Sequence, residues 1–168
     1  MTATSAATGV WALDPVASTA TFTAHQLWLD IHGTIPFRSA QATFGPAGEL
    51  LNAVAELDLT GLDTGNPRRD RDLAKPTLLD IRTHPTLTVE VGPGTPAGDG
   101  WVAAAKINAR GTTSTAQLQI TPTQPESDRR AVVEIRTTLD RTPLGLRAPR
   151  FAIGRWIHIS VAATFTRH

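Results

Sequence analysis

The stretch Trp101-Val102-Ala103-Ala104-Ala105-Lys106-Ile107-Asn108-Ala109 decides the fold. Trp101, Ala103, Ala105, Ile107 and Ala109 recur at every second position. Side chains alternate across a strand, so these five residues form one apolar face. Ala116, Leu118 and Ile120 continue the period. Upstream it is found at Ala20, Phe22 and Ala24, at Ala53, Ala55, Leu57 and Leu59, and at Leu87, Val89 and Val91. Downstream it returns at Ala131, Val133, Ile135 and Leu139, and at Ile157, Ile159, Val161, Ala163 and Phe165. Seven or eight half-buried strands imply an all-β fold.

Turn residues separate these runs: Gly45-Pro46-Ala47-Gly48, Gly92-Pro93-Gly94, and Pro122 to Asp128. None is long enough to link two domains, and the chain carries no internal repeat. Its 168 residues fit a single domain over 1–168, with residues 1–9 expected as a disordered tail. Asn66 to His84 breaks the alternation. Asn66 can cap a helix that begins at Pro67, where a missing N–H costs nothing, and the helix ends before Pro76. Leu78, Leu79 and Ile81 then form a second short turn packed on the sheet. The expected architecture is an antiparallel barrel of about eight strands, with one or two short helices around residues 66–83. A sandwich shares this pattern, and the scarcity of edge-protecting devices favours closure.

Sixteen basic and fifteen acidic residues give a net charge of +1, which offers no electrostatic footprint for nucleic acid. The chain has no cysteine, so disulfides and thiolate metal sites are excluded. No apolar run is long enough for a membrane-spanning helix. Met1 to Val10 lacks the charged start and apolar stretch of a secretory signal, so a cytoplasmic location is expected, or a periplasmic or secreted one if the chain is a trimmed form.

Several motifs have plainer readings than their chemistry suggests. Asp63-Thr64-Gly65 spells an aspartic-protease triplet, but one copy would need a symmetric dimer, and Asn66 turns it into a strand-to-helix turn. His25, His32, His84, His158 and His168 show no helical metal spacing. Arg68, Arg69, Asp70, Arg71, Asp72 and Lys75 form the densest charge, read first as a solvated helix with an Arg68–Asp72 pair. The other reading is a rim of guanidinium groups that meets a polar head group. The inward rows are rich in alanine, which leaves room for an apolar guest. Close sheet packing explains the same alanines, and periodicity alone does not choose between them.

The ordered motifs do add something. Trp11-Ala12-Leu13-Asp14-Pro15 is followed by Ser18 and Phe22, then by Gly33 and Phe37. Leu62-Asp63-Thr64-Gly65-Asn66 leads to Arg69-Asp70, Leu73, Leu79-Asp80 and His84-Pro85. Gly111-Thr112-Thr113 and Leu139-Asp140-Arg141 with Leu144-Gly145-Leu146 complete the series. Nearly the whole chain thereby resembles the YceI-like family of lipid-binding proteins. There are three departures. Ala17 stands where the family commonly has a histidine, and the stretch from Phe22 to Gly33 is about one residue short, taking His25 out of step with the family's histidine. A late phenylalanine is replaced around Pro143-Leu144.

The resemblance implies a lipocalin-like barrel with a tunnel for a polyisoprenoid, an isoprenoid quinone or a fatty-acid-like lipid. It implies a binding or transport protein rather than an enzyme, and a homodimer as a common state. No catalytic residue, metal or cofactor is expected beyond such a bound lipid. The lining residues expected are Phe22, His25, Phe37, Phe44, Leu57, Leu59, Leu87, Val89, Ile107, Leu118, Ile135, Phe151 and Ile157. Arg69 and Arg141 are the head-group candidates. The alternatives are an interaction module with a dry core and an enzyme acting on a lipophilic substrate.

Overall fold

The structure is a computed structural model that describes residues 9–26, 29–123, 129–144 and 154–167. Its strands are β1 (Gly9–Leu13), β2 (Thr19–Gln26), β3 (Leu29–Ile35), β4 (Phe37–Phe44), β5 (Leu50–Asp58), β6 (Thr86–Val91), β7 (Thr95–Ala97), β8 (Gly100–Ala109), β9 (Thr112–Pro122), β10 (Arg130–Asp140) and β11 (Trp156–Arg167). One helix, α1 (Pro67–Leu73), lies between β5 and β6.

Eight strands close a barrel in the order β1-β4-β5-β6-β8-β9-β10-β11, and β11 returns to β1 through Trp11↔Arg167, Ala12↔Thr166 and Leu13↔Phe165. All these pairs are antiparallel. Closure settles the barrel-or-sandwich question, because both edges a sandwich would expose are joined here. β2 and β3 form a hairpin that continues the wall on the same side of β11.

The bend between β1 and β2 explains the first family motif. The Asp14 carboxylate accepts from Val16 and Ala17 N–H at 3.0 and 3.3 Å, which turns the chain after β1. Buried Ser18 then accepts the Thr164 N–H at 2.9 Å, standing in for a strand partner. Pro36 makes the matching break between β3 and β4, and its carbonyl accepts the Asp58 N–H at 2.9 Å. A single bridge, Thr34↔Asp63, ties β3 to the segment after β5.

The barrel's two ends differ. At the end we call upper, Phe44 lies against Trp101 with ring centroids 5.5 Å apart. There β8 and β9 approach so closely at Gly100 that a Cβ would sit 1.8 Å from the Ile120 carbonyl oxygen. At the lower end, Leu59–Gly61 makes one turn of 3-10 helix, α1 follows, and residues 76–79 form turns. The Asn66 side chain accepts from Arg68 and Arg69 N–H, both at 3.1 Å, with Pro67 opening the helix. The Asp72 carboxylate bonds to Lys75 at 2.9 Å, so Lys75 takes the contact expected of Arg68. Arg68 keeps only a longer-range attraction to Asp72.

Candidate functional site

The inward faces obey the alternation. Ala103, Ala105, Ile107 and Ala109 of β8 are buried, as are Leu118 and Ile120 of β9 and Val161 and Ala163 of β11. Yet Ala53, Ala55, Leu87, Val89, Val91, Ile135 and Ile159, which face the same interior, keep part of their surface accessible. Interiors normally pack to crystal density, so the cavities that these same residues line mark unfilled space.

That space forms two chambers. The upper one has a volume of about 150 Å³ and an almost wholly apolar wall that includes Leu13, Ala20, Phe37, Ala40, Ala55, Leu57, Val89, Ile107, Leu118 and Ile135. The lower one, about 250 Å³, is lined by Ala24, Ile31, Leu59, Leu62, Leu73, Leu78, Leu79, Ala109, Leu144 and Ile157, together with Arg69, Asp72 and Arg141. Phe22, Ile35, Leu87, Leu139 and Ile159 belong to both walls.

Arg69, Arg141 and Asp72 bring charge into a wall otherwise made of hydrocarbon. Arg141 is only 3 % exposed, and its Nε donates to the Gly154 carbonyl at 2.9 Å. Arg69 is held by the Asp63-Thr64-Gly65-Asn66 turn. Its Nε donates to Thr64 Oγ1 and its Nη2 to the Thr64 carbonyl, each at 2.9 Å. Thr64 Oγ1 in turn donates to Asp70 at 2.5 Å. The Asp63 carboxylate accepts the Gly65 N–H at 2.7 Å, and Gly65 adopts φ of +78°, a conformation glycine takes without penalty. The triplet is thus a built turn that orients a guanidinium. The Asp72 carboxyl is held below its ordinary range, first by its bond to Lys75.

Most expected lining residues face this space. Phe37, Leu57, Val89, Ile107, Leu118 and Ile135 lie on the upper chamber, Leu59 and Ile157 on the lower, and Phe22 and Leu87 on both. Two do not. His25 lies on the outer face of β2, because Phe22 and Ala24 point inward and the next odd position must point out. Its ring bonds to Asp30 at 2.5 Å and meets His158 edge-on at 5.5 Å. Phe44 keeps the inward phase of Ala40 and Ala42, but it packs on Trp101 at the upper end of the core and lines neither chamber. Phe151 lies outside the described residues. Ile31, Ile35, Leu62 and Leu73 were not expected; the period of two in Ile31-Gly33-Ile35 could have found the first two, whereas Leu62 and Leu73 lie outside the strands.

Among the described residues, no group of three or more His, Asp or Glu could hold a metal ion. Nor is any helix among them long and apolar enough to cross a membrane.

A barrel with this interior has relatives. The family model described as the YceI-like domain matches residues 11–165. The chain belongs to the YceI-like family. Solved YceI-like folds agree in shape. BcnA of Burkholderia cenocepacia superposes with a TM-score of 0.80 at 19 % identity, covering 90 % of this chain and 98 % of its own. The Campylobacter jejuni YceI protein gives 0.69 at 12 % identity, covering 86 % and 89 %. A mutant of the latter, solved with a monobromobimane guest, gives the same values. No curated protein matches the sequence. At these identities the likeness is one of fold, and a YceI-like barrel is consistent with a binding protein.

Proposed function

We propose that this protein is a non-catalytic carrier that takes the hydrocarbon chain of an amphiphile into the barrel and meets its head at Arg69 and Arg141. One observation carries the reading: apolar space inside the barrel, with two guanidinium groups and the Asp72 carboxylate in the wall of its lower chamber. The ligand class is a fatty-acid-like or isoprenoid chain, including isoprenoid quinones and polyisoprenoids.

Size bounds the tail. A dry apolar cavity of about 150 Å³ takes one benzene in another protein, so the upper chamber suits about six carbons and the lower about ten. Ten buried carbons yield about 8 kcal/mol of transfer free energy, and association costs at least about 4 kcal/mol. The remainder corresponds to roughly millimolar binding. Charge-assisted hydrogen bonds of about 1.5–3 kcal/mol each bring it towards micromolar, which is why the arginines matter as much as the hydrocarbon wall.

The test is native mass spectrometry of the purified protein, organic extraction, and reloading with matched fatty acids and fatty alcohols. Arg69→Met should weaken the acids by about tenfold, the worth of about one charged hydrogen bond, and leave the alcohols nearly unchanged. A barrel that purifies empty and takes up neither series would overturn the carrier reading.

A further inference from the structure

We propose that Phe22 sets the length of chain the barrel accepts, with Gly33 as the seat that holds its ring out of the way. The inference rests on the carrier reading and goes beyond it, because it concerns the wall that the two chambers share rather than either chamber.

Five residues belong to both walls, and Phe22 is the one aromatic side chain among them. Phe22 and Gly33 are directly paired across β2 and β3. An ideal Cβ built on Gly33 would lie 2.3 Å from Phe22 Cζ, 2.5 Å from Cε1 and 3.1 Å from Cε2. The ring therefore covers the Gly33 α-carbon and occupies the place of its missing side chain. Real Cβ atoms are not found at such distances, so any side chain at this position must lift the ring off the β3 wall. The three atoms nearest to that Cβ all belong to the far side of the ring, so the ring is what must move first.

The two members of this pair thus make opposite predictions. With the ring seated over Gly33, a tail that fills the lower chamber can pass towards the upper one. Gly33→Ala pushes the ring into the passage and confines tails to the lower chamber. Phe22→Ala removes it and joins the chambers into one wider space. An adventitious pair of cavities would give neither effect.

The experiment uses delipidated full-length protein and a ladder of saturated fatty acids from octanoate to arachidate, each titrated against a displaced fluorescent fatty acid. Affinity should rise about fourfold per added carbon until the available space is full, then level off. Relative to the unaltered protein, the levelling point should move to shorter acids in Gly33→Ala and to longer acids in Phe22→Ala, by about two carbons or more. Phe22→Leu, which keeps the core apolar if the alanine variant folds poorly, should move it the same way as Phe22→Ala by a smaller step. If the acids bind but all profiles level off at the same length, the assignment of Phe22 fails while the carrier reading stands. If no acid binds the unaltered protein, the assignment of Phe22 fails, and the carrier reading fails with it when the barrel also purifies empty and takes up no fatty alcohol.

Discussion

Filling the upper chamber from its own wall gives a perturbation whose sign separates an open interior from a packed one. Ala55 lies on β5, opposite Ala40 of β4 and Val89 of β6, and all three line the chamber. Ala55→Leu adds three carbons on the inward side. Burying them contributes about 2.4 kcal/mol, and restricting the leucine rotamers costs about 0.5–1 kcal/mol. A net gain of about 1.5 kcal/mol is expected in ligand-free protein, since a space of about 150 Å³ admits three carbons without displacing neighbours. In a close-packed core the same change would force neighbours off their rotamers and cost about 1–3 kcal/mol. Urea unfolding followed by tryptophan fluorescence reads the difference as a shift in midpoint at constant slope. The substitution also takes room from a tail that reaches the upper chamber. Affinity for long fatty acids should fall by up to about fiftyfold, the equivalent of three lost carbons, while acids that fit the lower chamber are little affected. A midpoint that moves down with no change in ligand uptake would refute the reasoning, because it would mean that β5 faces filled space.

Two further outcomes test the frame that shapes this interior. Gly100→Ala places a Cβ 1.8 Å from the Ile120 carbonyl oxygen, so β8 and β9 must part; a loss of about 3 kcal/mol or more is expected in thermal unfolding, and a loss below about 0.5 kcal/mol would contradict the close approach. The Asp140 carboxyl is held well below the usual carboxylate range, first by its hydrogen bonds from Arg155 and then by Thr142. A depressed folded-state value means the stability it lends is complete above about pH 4 and is lost as pH falls towards that value. Asp140→Asn should therefore be less stable than the parent above about pH 4 and show a shallower acid limb below it, as read from urea midpoints across pH. Parallel acid limbs would show that the Asp140–Arg155 contact contributes nothing.

The relation between sequence and structure differs from element to element. Trp101 to Ala109 and Ile157 to Phe165 were legible residue by residue, because a period of two leaves only one assignment of faces once one side must be apolar. The same rule already placed His25 outward beside inward Phe22 and Ala24, and the structure bears the rule out against a lining role for that residue. Asn66-Pro67 was legible because capping is local chemistry. That Phe44 lines no chamber was not legible, since the period gives its inward face but not its packing on Trp101, a residue far along the chain.

By itself, then, the sequence determined seven of the eleven described strands with their inward faces, the capped helix and, through ordered motifs, the family. Only the tertiary structure decided that β11 returns to β1 to close the wall, that Arg69 and Arg141 meet one chamber, and that Phe22 rests on Gly33 between two of them. The physical reason is range. Alternation and capping act over a few neighbouring residues, whereas closure and a shared cavity depend on contacts between segments far apart in the chain. It is there that the abundance of alanine acquires its meaning. The alanines left two readings open in the sequence, and the place of Ala20, Ala40, Ala53 and Ala55 around the upper chamber makes them the wall of a space.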